Sequence, residues 1–192
     1  MNVKSLTSTV VVVIVSVWSL GLKCASEPSD EKGNAVTTDF CLSDSDVQGW
    51  SPSSGQCRSR SEQELSGEGE EAGGINGDAP TYTQFGLSEY IFQRLSGADG
   101  KEIEVYVMDM GDAATATELF KFMKNNAVST LSVEGYDNST AIMNVFRTTA
   151  VYSLYARIDR FYVEFMRMKG FADDTDARTT AKLFLDLYGS RL

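Results

Sequence analysis

Residues 101–124 change periodicity partway along, and this constrains the fold more than any other feature of the chain: K-E-I-E-V-Y-V-M-D-M-G-D-A-A-T-A-T-E-L-F-K-F-M-K. Ile103, Val105 and Val107 share one face of an extended run, and Glu104, Tyr106 and Met108 share the other, because strand side chains alternate. Gly111 breaks the run. Asp112 is placed to cap a helix, since its carboxylate can accept the unpaired first-turn amides. Ala116, Leu119, Phe120 and Met123 then recur at helical spacing as one apolar stripe. The stretch therefore reads as a strand turning into an amphipathic helix.

The flanking chain reads in the same terms. A strand is expected from about Thr83 to Leu95, with Ser96-Gly97-Ala98-Asp99-Gly100 as the hairpin into the Lys101 strand. Asn125 and Asn126 end the helix. Leu131 and Val133 suggest a short strand. Ala141 to Arg147, Ala150 to Ile158 and Phe161 to Met168 read as three more, the last two joined at Asp159-Arg160. Asp173, Asp174 and Thr175 precede a helix with Ala177, Ala181, Phe184, Leu185 and Tyr188 on one face, closed by Gly189. This order predicts an α+β fold: a single domain with a mostly antiparallel sheet and two amphipathic helices. The helices share a pattern, D-A-A-T-A-T-E-L-F from Asp112 and D-A-R-T-T-A-K-L-F from Asp176. An internal duplication of a strand-strand-helix unit would produce it, and so would two capped amphipathic helices that need the same residue types.

The N-terminus reads as an address. Lys4 precedes an apolar run from Val10 to Leu22, and Cys24-Ala25-Ser26 places small residues before Glu27, so residues 1–26 are expected to be a cleaved secretory signal. The run is short for a membrane span, which needs ~20 residues; an uncleaved anchor is the alternative. Cys24 is a candidate lipidation site, with Lys23 in place of the small residue that normally precedes a lipoprotein cysteine. Residues 27–39 are polar and read as a flexible acidic tether, and the domain is expected over 40–192. Phe40, Leu42, Val47 and Trp50 are expected to pack onto it, and Ser61 to Leu65 to begin a short helix. Beyond Cys24 the cysteines are Cys41 and Cys57, which in an exported chain predict a disulfide. Periplasmic or extracellular location follows, with the membrane reached only through a signal or lipid anchor.

The net charge is −10 and there is no histidine. The first fact argues against a nucleic-acid partner, because an acidic surface repels phosphate backbones. The second removes the commonest general base and metal ligand, and with it histidine-assisted serine or cysteine catalysis. No cofactor or metal is expected.

Trp50, then I-N-G-D-A-P-T-Y-T-Q-F-G from Ile75 to Gly86, then the strand ending Asp109-Met110-Gly111 before Ala113, resemble a family of uncharacterised exported bacterial proteins. The matching residues are Trp50, Ile75, Asn76, Gly77, Ala79, Tyr82, Phe85, Gly86, Asp109, Met110, Gly111 and Ala113. Two departures are the interruption at Gly67 to Gly74 and the poor lipoprotein site. The resemblance implies an exported α+β protein, often a lipoprotein, and supplies no activity.

Two functional readings remain. One is a non-catalytic module of the cell envelope that binds a protein partner or a small apolar ligand. Tyr90, Phe92, Tyr106, Met108 and Tyr162 are the candidate ligand-binding residues, being aromatic and methionine side chains on strand faces. An open face of this kind suits an apolar guest, unless the arm carrying Phe40 and Trp50 covers it. The other reading is a carboxylate-dependent hydrolase built around Asp109 and Asp112, with Asn76 or Asp78 nearby. The simpler roles are a strand-end aspartate for Asp109, a helix cap for Asp112 and helix-start charges for Asp173, Asp174 and Asp176. Asn138-Ser139-Thr140 is a glycosylation sequon, meaningful only in a eukaryotic secretory pathway. Native mass spectrometry of the chain exported with its own signal is expected to give a mature mass beginning at Glu27; a diacylglycerol mass on Cys24 would instead establish a lipoprotein.

Overall fold

The computed structural model describes residues 35–52, 57–67, 74–75, 79–146 and 148–192. The expected signal, Cys24, most of the tether and the Asn76-Gly77-Asp78 turn lie outside them.

Among the described residues an eight-stranded antiparallel sheet forms. Its strands are β1 (Trp50–Pro52), β2 (Arg60–Ser61), β3 (Glu89–Gly97), β4 (Glu102–Asp109), β5 (Thr130–Ser132), β6 (Ala141–Phe146), β7 (Val151–Ile158) and β8 (Phe161–Lys169). The order across the sheet is β1-β3-β4-β8-β7-β6-β5, with β2 also pairing β3. The helices are α1 (Glu62–Gly67), α2 (Ala79–Thr83), α3 (Ala113–Asn126) and α4 (Asp174–Gly189). The architecture is α+β, as the alternating and helical periods require. The segment expected to extend from Thr83 differs. It holds the end of α2 and a turn in which Phe85 and Gly86 bond back to Tyr82 and Thr83, and β3 begins only at Glu89.

The two long helices lie on opposite faces of the sheet. Ala177, Ala181, Phe184, Leu185 and Tyr188 of α4 pack with Ile103, Val105, Val107, Val163 and Phe165. Ala116, Leu119 and Phe120 of α3 pack with Tyr90, Phe92, Tyr106, Met108 and Tyr162. The central strands therefore bury both faces, which is why they read as nearly continuous apolar runs. This docking argues against the duplication. A twofold at the antiparallel β4/β8 seam, perpendicular to the sheet, would leave each helix on the same face. The shared pattern is also out of phase: Asp112 is the N-cap of α3, whereas the N-cap of α4 is Asp173, and Asp176 lies three residues inside. The likeness is one of residue types that suit capped amphipathic helices.

The N-terminal segment packs earlier than the tether boundary suggested. Ala35 and Thr37 are buried, and Thr37–Phe40 forms a short 3-10 turn. Phe40 sits against Phe161 and Tyr188, at ring-centroid distances of 4.7 and 5.9 Å. Gln93 receives the Leu42 amide and donates to its carbonyl, stitching the arm to β3. Trp50 lies across from Gly97 and approaches so closely that a Cβ there would stand 2.9 Å from its ring. Cys41 and Cys57 form a disulfide. No helix of the described residues is long and apolar enough to cross a membrane.

β8 carries one extra residue near its end. Glu104 pairs with Met166 and Glu102 with Lys169 on one side, while Leu154 pairs with Phe165 and Tyr152 with Met168 on the other. Within this bulge Arg167 has φ +50°, a conformation that costs a non-glycine residue about 1 kcal/mol.

The disulfide closes a loop with a sequence separation of 16. Replacing both cysteines with serine is expected to lower stability by about 3 kcal/mol on the chain-entropy account, read as a lower urea midpoint with a somewhat steeper slope, because the uncrosslinked unfolded chain exposes more surface.

Candidate functional site

The strand-to-helix corner is built as its sequence demands. Gly111 takes φ +79°, which frees the chain to turn. Asp112 accepts from the Thr115 amide at 2.7 Å, and that bond draws its carboxyl below the usual range. Asp109 accepts from the Gly111 amide at 2.8 Å, and its other oxygen lies 3.0 Å from the Arg160 guanidinium. Arg160 also donates to the Ala35 carbonyl at 2.8 Å and stands 5.0 Å from the Phe161 ring centroid. One arginine thus joins the corner, the β7–β8 turn and the N-terminal arm.

A second carboxylate faces the same end of the sheet. Glu89 is the cross-strand partner of Asp109. Its two oxygens accept from Ser59 at 2.6 Å and from Thr37 at 2.7 Å. These two hydrogen bonds, Ser59 first, hold its carboxyl below the ordinary value. Carboxylates held low are poor proton donors near neutral pH. The described residues contain no group of three or more histidine, cysteine, aspartate or glutamate side chains arranged to hold a metal ion. Asp173 caps α4 through the Asp176 amide, Asp174 accepts from the Tyr152 hydroxyl, and Asp176 pairs with Lys101 at 2.7 Å.

The candidate apolar-ligand residues are brought together, but as core. Tyr90, Phe92, Tyr106, Met108 and Tyr162 are at most 3 % exposed. Phe92 and Tyr106 are 5.0 Å apart and Tyr90 and Tyr106 6.4 Å, centroid to centroid. The face expected to be open or covered by Phe40 and Trp50 is instead covered by α3, Leu65, Ile75 and Tyr82. Phe40 and Trp50 cover the opposite face with α4.

Sequence reasoning missed Glu164. It lies on this face and is 2 % exposed. It accepts from the hydroxyls of Tyr82 at 2.8 Å and Tyr162 at 3.2 Å. Burial, followed by the charge of Glu164, raises the Tyr162 phenol well above its ordinary value, so it remains a donor at physiological pH. The available signal was one acid inside F-Y-V-E-F-M, a strand otherwise apolar at neighbouring positions.

Among the described residues, the same sheet face carries a cleft of about 420 Å³ lined by Arg94, Ser96, Glu102, Glu104, Arg167 and Lys169. Arg94 donates twice to one oxygen of the nearly buried Glu104, at 2.7 and 3.1 Å, and Arg167 approaches that oxygen at 3.6 Å. Lys169 pairs with Glu102 at 2.7 Å.

Comparison with family models, characterised proteins and solved structures finds no match to this chain.

Glu89 yields a pH dependence with a definite sign. Its folded pKa is depressed from 4.5, so its contribution is present above that value and is lost as pH falls through the folded pKa. Glu89→Gln is expected to cost about 1–2 kcal/mol at pH 7 and to reduce the stability lost on acidification from pH 5 to pH 3, as measured by denaturant melts across that range.

Proposed function

We propose that this chain is an exported, non-catalytic binding and interaction module of the cell envelope. The observation that carries the reading is the engagement of the Asp109–Asp112 corner. Each aspartate accepts a main-chain amide, and the other Asp109 oxygen is paired with Arg160. This is structural duty. Carboxylate hydrolysis needs an acid whose pKa is raised and a base that faces substrate, whereas Asp112 and Glu89 are both held low.

Export is supported by the Cys41–Cys57 bond, since disulfides persist in oxidising compartments, and by the signal-like N-terminal sequence. Membership among the exported bacterial proteins that the chain resembles belongs to the same proposal. Of the two expected occupants, the protein partner or a surface ligand is favoured over an apolar guest beneath α3. The guest would have to displace Tyr82 and α3 from a packed layer.

The test is photocrosslinking in the intact envelope, with wild type and Asp112→Asn compared. Asparagine caps a helix about as well as aspartate, so the variant keeps the fold. The reading expects the same captured partner from both proteins and no turnover of ester, phosphoester or glycoside substrates by either. Turnover by wild type that disappears in Asp112→Asn would put the carboxylate hydrolase in its place.

A further inference from the structure

We propose that the cleft between α4 and the turn after β5 binds a small zwitterion carrying both an amine and a carboxylate, a free amino acid. This deepens the binding-module reading and rests on it.

Two opposite charges line this cleft without pairing. Arg178 of α4 and Glu134 of the turn border about 130 Å³ together with Thr175, Thr179 and Lys182. Among the described residues, Arg178 alone of the lysines and arginines has neither a hydrogen bond nor an ion pair, and Glu134 has no partner either. The Arg178 Nε is shut off from water and meets no acceptor, whereas its two terminal nitrogens remain open. A buried polar group left unpaired is uncommon and calls for a reason. The Thr175 and Thr179 hydroxyls are likewise unengaged. Lys182, in contrast, is bound to Asp186.

Both walls are fixed. Thr175, Arg178, Thr179 and Lys182 fall at i, i+3, i+4 and i+7 on α4, which places them in one row along the helix. The facing wall is a turn in which the Tyr136 amide donates to the Val133 carbonyl at 3.1 Å. Three contacts pin that turn against α4. Val133 is buried in the core that holds Ala177, Ala181 and Phe184. Tyr136 donates to Asp186 at 2.9 Å. Gly135, at φ +80°, comes so near Lys182 that a Cβ there would stand 3.6 Å from its Cε. Glu134 lies between these pinned residues, so its position beside the Arg178 row is set by the fold.

An amino acid answers both charges at once. Its carboxylate accepts from the two terminal nitrogens of Arg178, the fork geometry that guanidinium groups favour. Its ammonium donates to Glu134. It has no net charge, so its capture is not opposed by a chain of net charge −10, as capture of a simple anion would be. Sites for drug-sized ligands run to ~300–1,000 Å³. The smaller volume here fits a single amino acid and excludes a longer peptide.

The experiment is an amide ¹H–¹⁵N titration of the exported chain with L-alanine and, separately, with sodium acetate and methylammonium chloride, all at equal ionic strength. Saturable shifts at Glu134, Thr175, Arg178 and Thr179 are expected with L-alanine, and binding weaker by about tenfold or more with either half alone. Arg178→Gln and Glu134→Gln are each expected to weaken L-alanine binding by about tenfold at an unchanged melting temperature, since neither side chain has a partner to lose. Absence of saturable shifts with L-alanine, acetate binding as tight as L-alanine binding, or wild-type affinity in either variant overturns the assignment. Capture of a partner in the envelope despite any of those results leaves the module reading standing and removes only this cleft. Hydrolytic turnover lost in Asp112→Asn removes the module reading whatever the titration gives.

Discussion

The β4–β8 pairing is the constraint on which the rest of the structure depends. Seven residue pairs join these strands, from Glu102–Lys169 to Asp109–Phe161, and both strands are apolar on both faces for most of their length. A strand pair of this kind is stable only when two layers cover it. The chain supplies one layer as α4 with the segment around Phe40 and Trp50, and the other as α3 with the segments around Leu65 and Tyr82. Each long helix follows directly from one member of the pair, and they leave it toward opposite sides.

The covers are held by polar contacts at their margins as well as by apolar burial. Arg160 and Glu89 fix the N-terminal arm at one end of the sheet. Tyr82 fixes its segment through Glu164, a carboxylate that would be strongly unfavourable so deep without its phenolic donors. Where the second cover ends among the described residues, the sheet face passes from aromatic to charged within two residues along β3 and β4: Phe92 to Arg94 and Tyr106 to Glu104. Among the described residues the cleft at Arg94 and Glu104 thus lies where this cover ends, and its side chains tolerate water.

Much of this was legible from the residues, for reasons that separate local from long-range physics. The corner at Gly111, the Asp112 cap, the face assignment of Ile103 to Met108 and the Cys41–Cys57 bond follow from local preferences or from elimination. The strand expected from Thr83 forms but starts late, at Glu89, because Tyr82 is engaged with Glu164 far along the chain and α2 with its following turn occupies the segment before it. The opposite docking of α3 and α4 was hidden because each helix shows an apolar stripe without saying which sheet face receives it. Tyr90, Phe92, Tyr106, Met108 and Tyr162 do share one sheet face, but burial depends on what lies above a face, which periodicity does not encode. Glu164 and the β8 bulge were missed for a related reason: a lone acid and a reset of alternation each appear in sequence as noise.

The position of β1 has a consequence for how this chain behaves when its environment changes. β1 lies between Cys41 and Cys57 and pairs with the outer side of β3 through Trp50–Gly97. β1 is held at that border by three cross-strand pairs, by the Trp50 ring against Gly97, Phe171 and Phe184, and by the bridge that ties its flanks. Without β1, the end of β3 near Gly97 becomes a template onto which another chain can add. Reduction of the bridge would therefore remove one of the restraints that keep this border covered. In a chain whose thiols stay reduced, this border would be the part of the sheet most open to strand addition.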